Sequence, residues 1–181
     1  NLDADSLMWR NADFEVFGGI TPLQIDNNKV YGAVERTVFC LDLSTGDSLW
    51  TNDFYGIIDN PKLSHFDSSP MYLSEQHLIL KGGSGPFLVM LDKNNGKLFK
   101  VNSKLPRGAS DRATYFEGKL FLPSLELSIV DVQSGEIINN PSIMSDVFGN
   151  IKSKIAIDPD RRVMYFHNGR VLFCVRIPDE W

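Results

Sequence analysis

Three histidines and two cysteines are the side chains of this 181-residue chain best suited to hold a metal or attack a substrate, and their spacing organises neither chemistry. His65 falls in a linker, His77 in an expected strand after Glu75-Gln76, and His167 just before an Asn168-Gly169 turn. None repeats the short spacing that sets two imidazoles on one side of a metal, and surface or rim positions account for all three. Cys40 and Cys174 are far apart and form no Cys-x-x-Cys pair. They do hold matching places in sequence, two residues ahead of Asp42 and Arg176, where other parts of the chain carry Met90 and Ile129. That reads as a buried apolar position, with a disulfide as the sharper alternative. The run Gly82-Gly83-Ser84-Gly85-Pro86 lacks the following helix that a phosphate cradle needs, and reads as a flexible hairpin loop. No Gly-x-Ser-x-Gly elbow is present.

The elements that must position these side chains show a repeat. Asp42 to Gly46, Asp92 to Gly96 and Asp131 to Gly135 share one spacing, each between an apolar, β-prone run and a second apolar start. The aspartate can cap a tight turn, and the glycine can take the φ > 0 conformation a short hairpin requires. Around them the chain divides into units of four strands. The first comprises residues 22–25, 29–33, 36–43 and 48–50, and the second residues 70–73, 77–80, 87–91 and 97–99. The third comprises residues 113–116, 119–123, 127–132 and 136–138, and the fourth residues 155–158, 162–166 and 171–177. The fourth unit is one strand short, whereas residues 6–9 (Ser-Leu-Met-Trp) echo Ser48-Leu49-Trp50 as an orphan fourth strand. A radial array of four-stranded sheets closes when one terminus completes the other's sheet, which removes two exposed edges. The expected fold is therefore an all-β propeller of four-stranded antiparallel blades, with the N-terminal strand closing the last blade against residues 171–177. A β-sandwich does not call for the same hairpin at every fourth strand, and no long stretch has helical apolar periodicity.

Composition sets the bounds. A hydrophobic share of 43% and a charged share of 23% describe an ordinary globular protein with room for a sizeable core. A net charge of -5 argues against a nucleic-acid partner, and no apolar run reaches the length of a transmembrane helix.

Lys29-Val30-Tyr31, the run from Phe39 to Gly46, and Leu49-Trp50 resemble the repeat of the PQQ-like (quinoprotein alcohol dehydrogenase-like) propellers. The resemblance covers nearly the whole chain, and the repeat serves enzymes and outer-membrane assembly scaffolds alike. Members commonly have seven or eight blades, so residues 1–181 form one propeller domain or half of a larger one. The tryptophan that ends the fourth strand stands at Trp9 and Trp50, with Phe99 in the second unit and Ile138 or Asn139 in the third. Enzymes of this kind hold PQQ over a tryptophan beside adjacent cysteines, with Ca²⁺ near a catalytic aspartate. Adjacent cysteines do not occur here, so the resemblance implies the scaffold, no cofactor and an extracytoplasmic location, periplasmic or secreted. Residues 155–162 also resemble the blade starts of metal-dependent lactonases, against the simpler reading of a strand ending in an Asp-Pro-Asp turn.

Aromatic-Gly-x-Ile strings recur in three linkers, at Phe17-Gly18-Gly19-Ile20, Tyr55-Gly56-Ile57-Ile58 and Phe148-Gly149-Asn150-Ile151. Glycine permits the bend, and the aromatic ring either plugs the gap between blades or faces a partner. The remaining linker places Arg107 and Arg112 on the same face. Aromatic rings and arginines are enriched at binding hot spots. The expected site is thus Phe17, Tyr55, Arg107, Arg112 and Phe148. The expected activity is binding or scaffolding, toward another protein or a small anionic ligand. The alternative is a quinoprotein-type or metal-dependent hydrolytic enzyme within a larger ring.

Overall fold

Hairpin follows hairpin through a computed structural model that describes residues 7–14, 21–53, 66, 70–81, 87–102, 105, 112–125, 127–139, 146–179 and 181. The first blade is a sheet of β1 (Gln24–Asp26), β2 (Lys29–Val34), β3 (Thr37–Asp42) and β4 (Ser48–Asp53) in that order. The second repeats it with β5 (Met71–Leu73), β6 (His77–Lys81), β7 (Leu88–Asp92) and β8 (Leu98–Asn102). The third pairs β9 (Thr114–Phe116), β10 (Lys119–Leu122) and β11 (Ser128–Asp131), and the fourth β12 (Ala156–Asp158), β13 (Val163–His167) and β14 (Leu172–Arg176). Every pairing is antiparallel between chain neighbours, so the fold is an all-β propeller of successive blades.

The middle strands explain their own composition. β2, β3, β6 and β7 are sandwiched between other layers on both faces, so both sets of alternating side chains are apolar. Tyr31, Ala33, Val38 and Cys40 leave the first blade on one side and meet Met71, Leu78, Leu80, Val89 and Leu91 of the second. Ile79, Leu88 and Met90 leave the second and meet Leu120, Leu122 and Val130 of the third. Phe121 and Ile129 meet Met164 and Phe166 of the fourth.

The three Asp-to-Gly turns form as their chemistry dictates. Asp42 Oδ1 accepts from the amides of Ser44 (2.8 Å) and Thr45 (3.0 Å), and Asp131 Oδ1 from those of Gln133 (3.1 Å) and Ser134 (2.7 Å). The closing amides of Gly46, Gly96 and Gly135 donate to the carbonyls of Asp42, Asp92 and Asp131. All three glycines have φ near +70° (77°, 70° and 71°), where a Cβ is poorly tolerated.

Five expectations are corrected. The third blade has no full fourth strand among the described residues. Ile137 makes one bridge to Val130, and the Asn139 side chain then closes the edge, accepting from Ile129 N and donating to Leu127 O. The tryptophan slot of the second blade holds Lys100 rather than Phe99, because Lys100 follows Gly96 at the spacing by which Trp50 follows Gly46, and the two stand opposite Met90 and Cys40. Among the described residues the N-terminal strand does not close the last blade. Residues 7–10 belong to no strand, Trp9 docks on the first blade, and β14 pairs only with β13 among the described residues. Cys40 is buried as expected, but Cys174 is exposed and both thiols are free, because no described layer covers the outer side of the fourth blade. His77 also departs from a surface position. It is buried, its ring stacks on Phe99 at 4.3 Å, and burial pushes its pKa below the ordinary value of 6.5.

Candidate functional site

The first strands of the blades, β1, β5 and β9, bring together side chains that lie far apart in sequence. An open cleft of about 730 Å³ runs along them, with Gln24, Asp26, Tyr72, Lys93, Tyr115 and Lys154 among its lining. Asp26 ends β1 at the Asn27-Asn28 turn, whose two residues take positive φ as asparagine tolerates. Lys93 lies in the Asp92–Gly96 turn of the neighbouring blade and reaches across. Its Nζ donates to Asp26 Oδ2 at 2.8 Å and to Ser74 O at 3.2 Å. That ammonium holds the Asp26 carboxyl below its usual range. Tyr72 turns its hydroxyl to the Ala113 carbonyl at 2.8 Å, tying the second blade to the third along one wall.

A smaller cleft of about 330 Å³ lies around Ser74, Gln76, His77, Tyr115 and Gln133. His77 in its wall has its pKa pushed below the ordinary 6.5 by burial, and its ring stacks on Phe99. The two clefts share Ser74, Glu75 and Tyr115, so they border one another. Their lining offers amides, hydroxyls, one internal ion pair and apolar floor from Ile25, Met71 and Leu73. Among the described residues no three of His, Cys, Asp and Glu converge as a metal site.

The site expected from sequence divides. Phe17, Tyr55 and Arg107, with His65 and the Gly82–Pro86 loop, lie outside the described residues. Arg112 donates from one guanidinium nitrogen to Lys152 O at 2.8 Å and Ile151 O at 3.4 Å, clasping the segment that enters the fourth blade. Phe148 is a plug, edge-on to Phe166 at 5.1 Å and to Phe173 at 5.3 Å. Arg112 thus holds the segment that carries Phe148 between the third and fourth blades, and Phe148 packs onto the fourth. The inner cleft went unread because its residues are ordinary strand-end types. The only signal available was that Asp26 and Ser74 hold matching places at the first turn of successive units.

No family model matches this chain, and no curated protein is similar to it in sequence. Solved structures share its fold. The quinohemoprotein alcohol dehydrogenase of Comamonas testosteroni superposes with a TM-score of 0.60 at 18% identity, over 84% of this chain and 29% of its own. The quinohemoprotein alcohol dehydrogenase ADHIIG of Pseudomonas putida HK5 gives 0.60 at 13% identity, over 88% of this chain and 30% of its own. A europium-containing methanol dehydrogenase gives 0.56 at 11% identity, over 79% of this chain and 34% of its own. The chain thus spans about a third of the length of each, and at these identities the likeness is one of fold. The residues present do not fit a quinone site of the PQQ kind. The two cysteines stand in different blades, the rings of Trp9 and Trp50 sit against Gly46 and Gly96, and Trp181 packs into the core of the fourth blade.

Proposed function

We propose that this chain, which has the PQQ-like β-propeller fold, is a non-catalytic binding or scaffolding module whose partner is another protein. The observation that carries the reading is the inner cleft, in which exposed Ile25 and the tyrosines Tyr72 and Tyr115 stand beside Asp26, Lys93 and Lys154. Aromatic and aliphatic surface interleaved with a few hydrogen-bonding groups suits an extended protein segment. Lys154 supplies a cation for an acidic side chain or small anionic group on that segment. Arg112 and Phe148 serve this function indirectly, by fixing the fourth blade and with it Lys154. By its resemblance the module works outside the cytoplasm.

Site-specific photocrosslinking in the producing cell tests the reading. A photoreactive phenylalanine at Ile25 or Tyr115 should yield one shared crosslinked protein, which Lys154→Glu reduces. The same probe at Glu35, in the β2–β3 turn, should not yield it. Capture from residue 35 alone, or none from the cleft, would overturn the assignment.

A further inference from the structure

The first two junctions between consecutive blades share a finger-and-turn contact. The outer strand of one blade sends a finger of two side chains into the hairpin turn of the next. Trp50 Nε1 donates to Lys93 O at 3.2 Å and Asn52 Nδ2 to Gly96 O at 2.7 Å. One blade on, Lys100 Nζ donates to Ser134 O at 2.6 Å and Asn102 Nδ2 to Gly135 O at 3.0 Å. That second finger fixes the Asp131–Gly135 turn, whose Gln133 lines the smaller cleft of about 330 Å³. The turn before β6 supplies another part of the lining. There Ser74 Oγ accepts from His77 N at 2.9 Å and donates to His77 O at 3.2 Å, so Glu75, Gln76 and His77 are presented on a tied turn. Tyr115 of β9 adds a ring and a hydroxyl.

His77 is the exception at a repeated position. β2, β6 and β10 begin with Lys29, His77 and Lys119, each opposite the aspartate of its blade's turn, Asp42, Asp92 and Asp131. In the third blade the two form an ion pair, Lys119 Nζ to Asp131 Oδ2 at 3.4 Å. In the second blade the imidazole stacks on Phe99 instead, and neither ring nitrogen makes a hydrogen bond among the described residues. The residue is nonetheless only 8% exposed. Buried polar groups are nearly always hydrogen-bonded, so an unbonded imidazole in the wall of a cleft calls for a partner inside that cleft. Burial favours its uncharged form, in which one nitrogen donates and the other accepts.

The rest of the lining narrows the ligand. Glu75 offers a carboxylate, and Gln76 and Gln133 offer amides that both donate and accept. No lysine or arginine is among the lining residues, and the carboxylate opposes an anion. One carboxylate and one imidazole fall short of a metal ion's usual ligand set. The apolar part of the lining is Val132 and the Tyr115 ring, too little for a hydrocarbon. A lining of mixed donors and acceptors is matched by hydroxyl groups, each of which does both. Adjacent hydroxyls on a ring also suit the paired polar atoms of a carboxylate or an amide. The volume lies at the small end of ligand sites, as a single sugar ring requires. We propose that this cleft binds a saccharide, one sugar ring lying beside Tyr115 with its hydroxyls bonded to His77, Glu75, Gln76 and Gln133. The site does not rest on the protein-binding reading of the larger cleft, although Glu75 and Tyr115 line both.

Nuclear magnetic resonance of the full chain, titrated with glucose, galactose, mannose and N-acetylglucosamine at millimolar concentrations, tests it. At least one of these sugars should shift the His77 ring signals saturably, and inorganic phosphate should not. His77→Phe keeps a ring to stack on Phe99 and removes both nitrogens, and should weaken binding about tenfold as read from the Tyr115 signals. Gln133→Ala changes an exposed turn residue, leaves the core untouched and should weaken binding as well. No saturable shift with any of the four sugars overturns the proposal, and so does an equal shift with phosphate. Binding that Gln133→Ala and His77→Phe both leave intact places the sugar elsewhere and overturns it too. The His77 signals report on this cleft, whereas a crosslink from Ile25 reports on the larger one, so the two readings fail separately.

Discussion

A methyl group added at Gly96 separates two roles that the turn glycines combine. Gly96 has φ +70°, and a Cβ there would lie 2.5 Å from Trp50 Cε3 and 2.8 Å from Cδ2. Gly118, in the β9–β10 turn, has φ +74° with no atom within 4 Å of the same construction. Gly118→Ala therefore meets backbone strain alone, about 1 kcal/mol for one residue held in the left-handed region. Gly96→Ala meets that strain and also lifts the indole from its seat. Deleting a fully buried tryptophan costs ~3–5 kcal/mol. Trp50 is half-buried, so displacing its ring and its bond to Lys93 O should cost about 2 kcal/mol. The expected totals are about 1 kcal/mol for Gly118→Ala and about 3 kcal/mol for Gly96→Ala. Urea unfolding with matched m-values reads the difference, and in a chain of this size it corresponds to a gap in Tm of roughly 4–8 °C. In a Trp50→Ala background the cost of Gly96→Ala should fall back to about 1 kcal/mol, since the clash has gone while the strain remains. Equal costs at Gly96 and Gly118, or an undiminished cost without the indole, would refute the finger-and-turn account of blade docking.

Other expectations follow from the same geometry. Asp42 titrates below its ordinary 3.8 because the Ser44 hydroxyl and amide and the Thr45 amide bond its charged form; for Asp131 burial pushes upward but the Ser134 and Lys119 bonds outweigh it. A depressed carboxyl contributes stability that is present above about pH 3.8 and is lost as pH falls through the folded value, so Asp42→Asn with Asp131→Asn should flatten the acid limb of a stability–pH curve measured by urea midpoint. His77 titrates below 6.5 through burial, so the unfolded chain takes up its proton first and stability declines as pH drops from about 6.5; His77→Gln should remove that decline, and an unchanged profile would contradict it. Arg112→Ala leaves the carbonyls of Ile151 and Lys152 without this donor and should cost on the order of 1 kcal/mol, with faster amide exchange in β12 and β13 than in β6 and β7.

Legibility in the sequence tracked the range of the interaction. The Asp-to-Gly turns were readable because donor, acceptor and glycine fall within five consecutive residues, and the middle strands because burial on both faces leaves an apolar run. Lys100 in the tryptophan slot is given by spacing, since it follows Gly96 as Trp50 follows Gly46, but its residue type argues against it. Its aliphatic stem does the work of the ring, with Cδ 2.7 Å from where a Cβ on Gly135 would lie, while the ammonium reaches Ser134 O and pairs with Glu136. His77 stacking on Phe99 joins β6 to β8, two strands of one sheet separated by β7, and no local pattern announces such a contact. The inner cleft is the extreme case. Asp26 and Lys93 make an ion pair 67 positions apart, and each looks like a solvated turn residue by itself.

The finger-and-turn contact also gives the blades a direction. Each finger acts on the blade that follows it, from residues 9 and 11 through 50 and 52 to 100 and 102, and the described series stops where Asn139 turns onto β11 of its own blade. The fourth blade is consequently held by other means. Thr114 Oγ1 donates to Ile155 O at 2.7 Å, Arg162 pairs with Glu117, and Arg112 clasps residues 151 and 152. These contacts come from the inner and middle strands and from the entering segment, and among the described residues none involves the outer edge of β14. Phe148, Phe166 and Phe173 lie on the side of the sheet that faces the third blade, away from Tyr165 and Cys174. The fourth blade therefore has one face closed by the chain's own packing, while its other face keeps the residue types of a junction.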